Sequence, residues 1–455
     1  MFTLPGLIAI IAAQYTKVQE MSPVLRSLPI MHVLYFAACF GLLLDIRLGL
    51  IRKEACPHLW LALLLWLWTL VSVALTGGLL GHQAFQTMAY LLLSILVAQG
   101  VQSFRALRIV GFSILVMSLF LAVVAIVQAR SPIQCILLVA NMPGDVAGRP
   151  DGRPCEWASQ CREDAEPGDD YLCERPGPFD THSIGHGRVR YRGILADPNE
   201  LALALVVALP LVMTLFGSRR SVARVLVAIA ALAITFPVVV WTASRTGQLA
   251  FVAVIAVYIL QKVGLRGLLA TALLAAPVLA LGGRSGEEAE QSSMERLDAW
   301  YAGFQMLKSS PIWGVGKSQF TEHHDITAHN TFILQSAELG IVGLVLWVAI
   351  LYVGVKVVIV ALRRYGTDPT GLACIWARAL LASLTSIIVG INFLSLAYHP
   401  VVWIFLGLPG GYYLAVRRHD PEFHVELGKR DLLAVTGLAV VYCAGVKGYL
   451  LLRGF

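Results

Sequence analysis

Four stretches of this chain set ionisable side chains close enough to do chemistry. In the first, Arg188, Arg190 and Arg192 alternate just ahead of Asp197-Pro198-Asn199-Glu200. That tetrapeptide has the form of a helix start, with Asp as cap, Pro at the first helical position and Glu closing a capping box. Arginines beside a helix N-terminus suit an anion such as phosphate; the plainer reading is a cap with interfacial arginines reaching headgroups. The second stretch, "WTASRTGQLAF", holds Arg245 between two apolar runs. A structural ion pair is its plain reading. The third is "HHDITAHNTFILQSAELG", with His323, His324, Asp325 and His329 close together and His329-Asn330 opening a long apolar run. A histidine there suits a general base, its unperturbed pKa lying near ~6.5. A metal site is the rival. His324 and His329 are five apart, whereas four would align two ligands on a helix face, and no "HExxH" is present. Glu338, nine residues on, lies about two and a half turns further along and points away from His329, towards a partner within the bundle. The fourth stretch, "PIWGVGKSQF", has Pro311 where a phosphate loop needs its first glycine. Gly314 and Gly316 therefore read as a turn and not as a nucleotide site.

These groups must be positioned by a chain with little else that is polar. Of 455 residues, 57% are hydrophobic and 14% charged, and mean hydropathy is +0.72. A soluble domain carries roughly 25% charged residues. Soluble-enzyme, nucleic-acid-binding and disordered readings are excluded, and a polytopic membrane protein remains. Apolar windows near 2–14, 29–46, 58–76, 84–100, 106–128, 194–216, 221–241, 247–262, 265–282, 329–360, 372–393, 399–416 and 431–451 predict about 12–13 helical spans. The first is too short for an upright helix through a core of ~30 Å. Its first basic residue is Lys17, so it reads as a retained short or half-inserted helix and not as a signal peptide.

Orientation follows from the lysines and arginines of the short loops. One alternate set carries Arg47, Arg52, Lys53, Arg105, Arg108, Arg219, Arg220, Arg224, Lys262, Arg266, Arg363, Arg364, Arg378, Arg417, Arg418, Lys429 and Arg430. The loops near 77–83, 243–247 and 393–399 carry Arg245 alone. The first set is thus cytoplasmic, and the net charge of +7 is an orientation signal, not a binding footprint. All four chemical stretches fall on the outer side. The chain divides into spans over 1–128, an outer loop over 129–193, spans over 194–282 with the arginine motif, a second outer loop over 283–328, and spans over 329–455. The first loop holds Cys135, Cys155, Cys161 and Cys173, which form two disulfides in one of three connectivities. Zinc is the alternative, although the spacings match no common pattern. Cys39, Cys56, Cys374 and Cys443 lie in or beside spans, as packing residues. In the second loop, Ser292 and Glu295 read as a capping box, followed by Leu297, Trp300, Tyr301, Phe304 and Leu307 at helical spacing up to Ser309-Ser310-Pro311. This helix is expected to lie on the outer membrane surface.

In order along the chain, "RGILADPNELA", "SRTGQLA", "RLDAWYAGFQMLKSSPIWGVGKSQF" and "AHNTFILQSAELGIVG" resemble the O-antigen ligase and O-antigen polymerase superfamily, over about residues 188–345. The resemblance implies an all-α, GT-C-like bundle with two large periplasmic loops in a bacterial inner membrane. It implies transfer of a glycan from an undecaprenyl-pyrophosphate donor to an acceptor hydroxyl, lipid A-core or similar, at the periplasmic face, with inversion and with no metal or other cofactor. Carried over residue by residue, Arg192, Arg245 and possible helpers Arg190 and Arg188 would hold the pyrophosphate, and His329 would take the acceptor proton. Asn199, Asn330 and, ahead of the surface helix, Arg296 would contact substrate. The cysteine-bearing loop of about 65 residues is longer than the family's usual pattern and leaves the acceptor open. A polymerase of O-antigen or exopolysaccharide would use the same donor. A transporter or flippase is the reading from another class; it expects midplane charges and internal repeats, which the sequence does not display.

Overall fold

A computed structural model describes residues 1–78, 80–138, 148–163, 169–185, 187–215, 222–280 and 287–455. Arg219 and Arg220 of the cytoplasmic set, and most of the Gly-, Pro- and acid-rich tracts of the first outer loop, lie outside the described residues. In chain order the helices are α1 (Thr3–Thr16), α2 (Pro23–Ser27), α3 (Ile30–Arg47), α4 (Pro57–Leu75), α5 (Leu80–Gly100), α6 (Phe104–Arg130), α7 (Ala158–Arg162), α8 (Pro198–Ala208), α9 (Val222–Trp241), α10 (Arg245–Val263), α11 (Gly267–Ala280), α12 (Glu287–Ser309), α13 (Phe320–His323), α14 (Thr331–Tyr365), α15 (Leu372–Ile391), α16 (Pro400–Arg417) and α17 (Lys429–Leu452). Among the described residues, eight helical segments are long and apolar enough to cross a membrane, with α10 and α11 forming one of them. This is a polytopic helical membrane protein. Two apolar helices are shorter: α1, with 14 residues, is short as expected, and α8 has 11 before it tightens into a 3-10 stretch at Leu209-Pro210, where proline removes a helix donor.

Two compact units share the chain. One comprises Pro5–Phe40 and Arg108–Gly283, and we call it the arginine unit. Here α1 buries Leu7, Ile10, Ile11 and Tyr15. It also holds the first outer loop, where the all-α description needs an addition. Strands β1 (Gln134–Leu138), β2 (Gly148–Pro154) and β3 (Tyr171–Glu174) form an antiparallel sheet in the order β2-β1-β3, and β4 (Pro176–Gly177) pairs with β5 (Thr181–His182). The sheet's own cluster is little more than Cys135, Cys161 and Tyr171, too small to stand on apolar burial. Disulfides Cys135–Cys161 and Cys155–Cys173 staple it, as expected for these four cysteines. Three of the sulfurs lie within 4.8 Å of one another, but they are consumed by the two disulfides.

The other unit comprises Met1–Leu4, Gly41–Leu107 and Arg284–Phe455; we call it the histidine unit. Its central helix α14 runs for 35 residues but is broken at Gly340, with φ 66° and ψ −170°. A break inside a bilayer frees carbonyls that no water can satisfy. The segment after α12 supplies their partners. Val315 N donates to Ala337 O and Gly316 N to Glu338 O, each at 2.9 Å, and Ile341 N donates to Pro311 O at 2.9 Å. Trp68 Nε1 of α4 donates to Leu339 O at 2.8 Å. The approach is so close that a Cβ on Gly340 would lie 2.1 Å from Ile312 O. The turn expected at Gly314 and Gly316 is thus present, with φ 73° and 103°, and its role is to dock on the broken helix.

The surface helix corrects one expectation. α12 begins at Glu287, so Ser292 and Glu295 lie inside it and do not cap it, and Arg296 is within the helix, not ahead of it. The sequence ahead of Ser292, "EEAEQ", is rich in good helix formers, and the helix extends over it. Its end at Ser309 is where Ser310-Pro311 stops it.

Candidate functional site

In the arginine unit the "RVRYR" stretch runs beside the α9–α10 turn. Val189 N donates to Trp241 O at 3.2 Å, and Arg188 Nε donates to Thr242 O at 3.0 Å. In that turn Ala243 adopts φ 47°, and Ser244 caps α10 by accepting from Gly247 N at 3.0 Å. Arg245 follows as the first, exposed residue of the helix. Alternate residues of an extended segment share a face, yet these arginines make different contacts. Arg190 is buried and structural in its contacts: its N–H donates to Gln128 Oε1 at 2.9 Å and its Nε to His182 O at 3.2 Å.

Arg192 is the exception. It is only 1% exposed, and its Nη1 donates to Glu20 O at 2.8 Å. Its Nε and Nη2 find no acceptor among the described residues. These two nitrogens form one edge of the guanidinium fork, the edge that grips a carboxylate or phosphate with two parallel bonds. A buried cation with donors left over is costly, and an oxyanion is the ligand that relieves it. Burial lowers the Arg192 pKa; Tyr191, Glu20 and Asp180 oppose that shift, and Arg26 adds to it. Burial also pushes the neighbouring Tyr191 up to about 12, and its hydroxyl donates to Thr16 O at 2.6 Å. The next residue, Gly193, has φ 56°, and a Cβ there would meet the Glu20 carboxylate at 2.7 Å. The expected cap is confirmed: Asp197 Oδ1 accepts from Asn199 N at 2.7 Å. The same oxygen takes up the Asn199 side-chain amide, also at 2.7 Å, so Asn199 serves the cap.

The count of outer short loops leaves out the segment after α1, and the structure shows its importance. Glu20 reaches Arg192 from there. Lys17, at φ 50°, is buried, and burial lowers its pKa against the raising influence of Glu20 and Glu200. The positive-inside logic that singles out Arg245 applies equally to Lys17 and Arg26.

In the histidine unit, His329 is half-buried and has φ 46°. The left-handed region costs a non-glycine residue roughly 1–2 kcal/mol, and such outliers gather at functional sites. Its neighbours hold it there. Trp300 Nε1 of α12 donates to Ala328 O at 2.9 Å, and Thr327 Oγ1 donates to Ser395 Oγ at 3.0 Å. Asn330 caps α14, its Oδ1 accepting from Phe332 N at 3.0 Å and Ile333 N at 3.1 Å; such a cap contributes about 1 kcal/mol. Thr331 Oγ1 donates to Leu394 O at 2.6 Å and accepts from Leu396 N at 2.9 Å. Arg296 is half-buried within α12. His324 meets Asp298 at 3.1 Å and Ile326 O at 3.0 Å, so it is an anchoring residue in this structure. Glu338 is buried, as is Lys317, whose Nζ donates to Gln83 Oε1 at 2.5 Å. Burial lowers the Lys317 pKa, and Glu338 raises it.

Arg188, Arg190, Arg192, Asn199 and Arg245 therefore belong to one unit, and Arg296, His329 and Asn330 to the other. Trp300 is visible in the sequence only as part of a helical repeat, and Asn392 and Tyr442 are not singled out there; all three are engaged around the His329 turn. Lone polar residues in or beside apolar spans are the signal for the last two.

A family model described as O-antigen ligase matches residues 201–348. That stretch contains Arg245, Arg296, His329, Asn330 and the break at Gly340, and begins after Arg192 and Asn199. Over that stretch the chain is similar to O-antigen ligases. No curated protein matches the chain.

Proposed function

With the O-antigen ligase family matched across residues 201–348, we propose that this protein transfers a glycan from an undecaprenyl-pyrophosphate donor to an acceptor hydroxyl, at the periplasmic face of a bacterial inner membrane. The observation that carries the reading is the buried Arg192 edge, two donors with no acceptor among the described residues. The donor pyrophosphate takes that edge, with Arg245 as a second cation. Both stabilise the negative charge that builds on the leaving group, the work a metal performs in other transferases. The acceptor oxygen attacks the anomeric carbon on the face opposite the pyrophosphate, so the configuration inverts. A carbon–oxygen bond forms, the bond to the pyrophosphate oxygen breaks, and its electron pair leaves with undecaprenyl pyrophosphate. The imidazole of His329 takes the hydroxyl proton.

The test uses the purified full chain in liposomes, with lipid-linked glycan and a lipid A-core acceptor. Wild-type protein is expected to make the conjugate, while Arg192→Ala and His329→Ala do not, although both are expressed and inserted. Full transfer by both variants would overturn the reading. Elongation of the lipid-linked glycan with no acceptor conjugate would instead identify a polymerase.

A further inference from the structure

The turn that carries His329 is tied to the last helix by a directional hydrogen-bond chain. Asn330 Oδ1 is committed to capping α14, accepting from Phe332 N and Ile333 N. Its Nδ2 must then donate, and it does so to Tyr442 OH at 2.8 Å. The Tyr442 oxygen is therefore an acceptor there, and its own proton goes to Asn392 Oδ1 at 2.9 Å. That leaves Asn392 Nδ2 to donate to Ile388 O at 2.6 Å, inside α15. Every amide end in the series is assigned by its neighbour, so the Asn330 amide is set by its cap on α14 at one end and tied to α15 through Tyr442 at the other. The ring of Tyr442 also packs on Phe332, with centroids 4.5 Å apart.

α17 has little else to do in the core. Leu432, Leu433, Val440 and Val441 are exposed along it, as suits a lipid-facing helix. It is clamped to α14 nearer its start by Asp431, which accepts from Tyr352 OH and Lys356 Nζ, both at 2.7 Å. Tyr442 is the second clamp. Both Tyr442 and Asn392 lie beyond residue 348, where the family match ends.

We propose that Tyr442 and Asn392 are positioning residues for His329: they hold the Asn330 amide and with it the left-handed turn that aims the imidazole. This rests on the reading of His329 as the general base. A reacting group misplaced by about 1 Å costs up to ~100-fold in rate; loss of one clamp is expected to cost about tenfold.

The experiment measures transfer kinetics and thermal unfolding of the full chain for wild type, Tyr442→Phe, Asn392→Leu, Asn392→Asp, the Tyr442→Phe/Asn392→Leu double variant and His329→Ala. Tyr442→Phe keeps the ring against Phe332 and removes only the hydroxyl. Turnover is expected to fall about tenfold in Tyr442→Phe and in Asn392→Leu, with donor KM and the unfolding temperature unchanged. The double variant should be no worse than either single one, since the chain acts as a unit. Asn392→Asp, which keeps the acceptor oxygen, should recover most of the rate. Turnover of Tyr442→Phe within twofold of wild type, with His329→Ala inactive, would overturn the positioning role and leave the base intact. A raised donor KM or a lowered unfolding temperature accounting for the loss would overturn it also, as a merely structural contact. Full activity of His329→Ala would remove the base reading, and the inference with it.

Discussion

Arg192 enters its site with one nitrogen held by the Glu20 carbonyl and two without an acceptor. The turn at His329 is built the other way: Thr327, Ala328, Asn330 and Thr331 each have their polar groups engaged. Under the proposed function, the difference matches what each group would do. An anion-binding cation needs donors the fold has left over, because a donor already paired inside the protein has nothing to offer a phosphate. A general base needs the opposite. Its worth depends on staying where the proton is delivered, and the protein secures the residues on either side of the half-buried ring.

The contrast breaks most visibly at the histidine. His329→Ala is expected to cut turnover by about 10³-fold with donor KM little changed, and transfer kinetics at saturating donor check this. An equal loss through KM would make His329 a binding group and erase the distinction. Gly340→Ala comes next. A side chain there meets Ile312 O and imposes a left-handed φ on a non-glycine residue, so destabilisation of about 3 kcal/mol is expected, read as a fall in the unfolding midpoint with loss of the His329 turn. Arg192→Lys keeps the charge but not the two-pronged edge; kcat/KM is expected to fall about 100-fold, mostly through donor affinity. A lysine as good as arginine would mean that charge alone matters. Removing Cys155–Cys173 by paired serine substitution should cost the outer loop about 2 kcal/mol. Limited proteolysis should cut residues 148–174 while the membrane helices stay intact.

The smallest effect lies in neither region. The Tyr365 hydroxyl and then Arg364 hold the Asp420 carboxyl below its ordinary range. A carboxyl depressed in the folded state adds stability above its unfolded pKa of ~3.9, and that stability disappears as pH falls through the lower folded value. The unfolding midpoints of wild type and Asp420→Asn should differ slightly at pH 7 and converge as pH falls through the depressed Asp420 pKa, with transfer unaffected.

Much of this protein was legible from residue types alone. Low charge dictates a bilayer, since backbone and side chains there must satisfy themselves. The asymmetry of lysine and arginine makes Arg245 conspicuous, and four cysteines in one outer loop announce two disulfides. Helix starts at Asp197 and Asn330 follow from local capping chemistry, which needs only neighbours in sequence. The start of α12 was misplaced because Ser292 and Glu295 fit a capping box locally while a run of glutamates upstream also favours helix.

What tertiary structure alone decided lies at long sequence separation. Nothing in "RVRYR" distinguishes Arg190, tied to Gln128 and His182, from Arg192, whose fork edge is left over; that depends on Glu20, 172 residues away. A long apolar run gives no sign that it breaks at Gly340, because the compensating donors come from Val315, Gly316 and Trp68. Tyr442 reads as one more aromatic residue in the last span until its hydroxyl is seen against Asn330, 112 residues earlier. Composition and local periodicity set where the chain lives and where helices begin. Which polar groups are satisfied, and which remain for a substrate, is a property of contacts between distant segments, and only the folded chain brings those together.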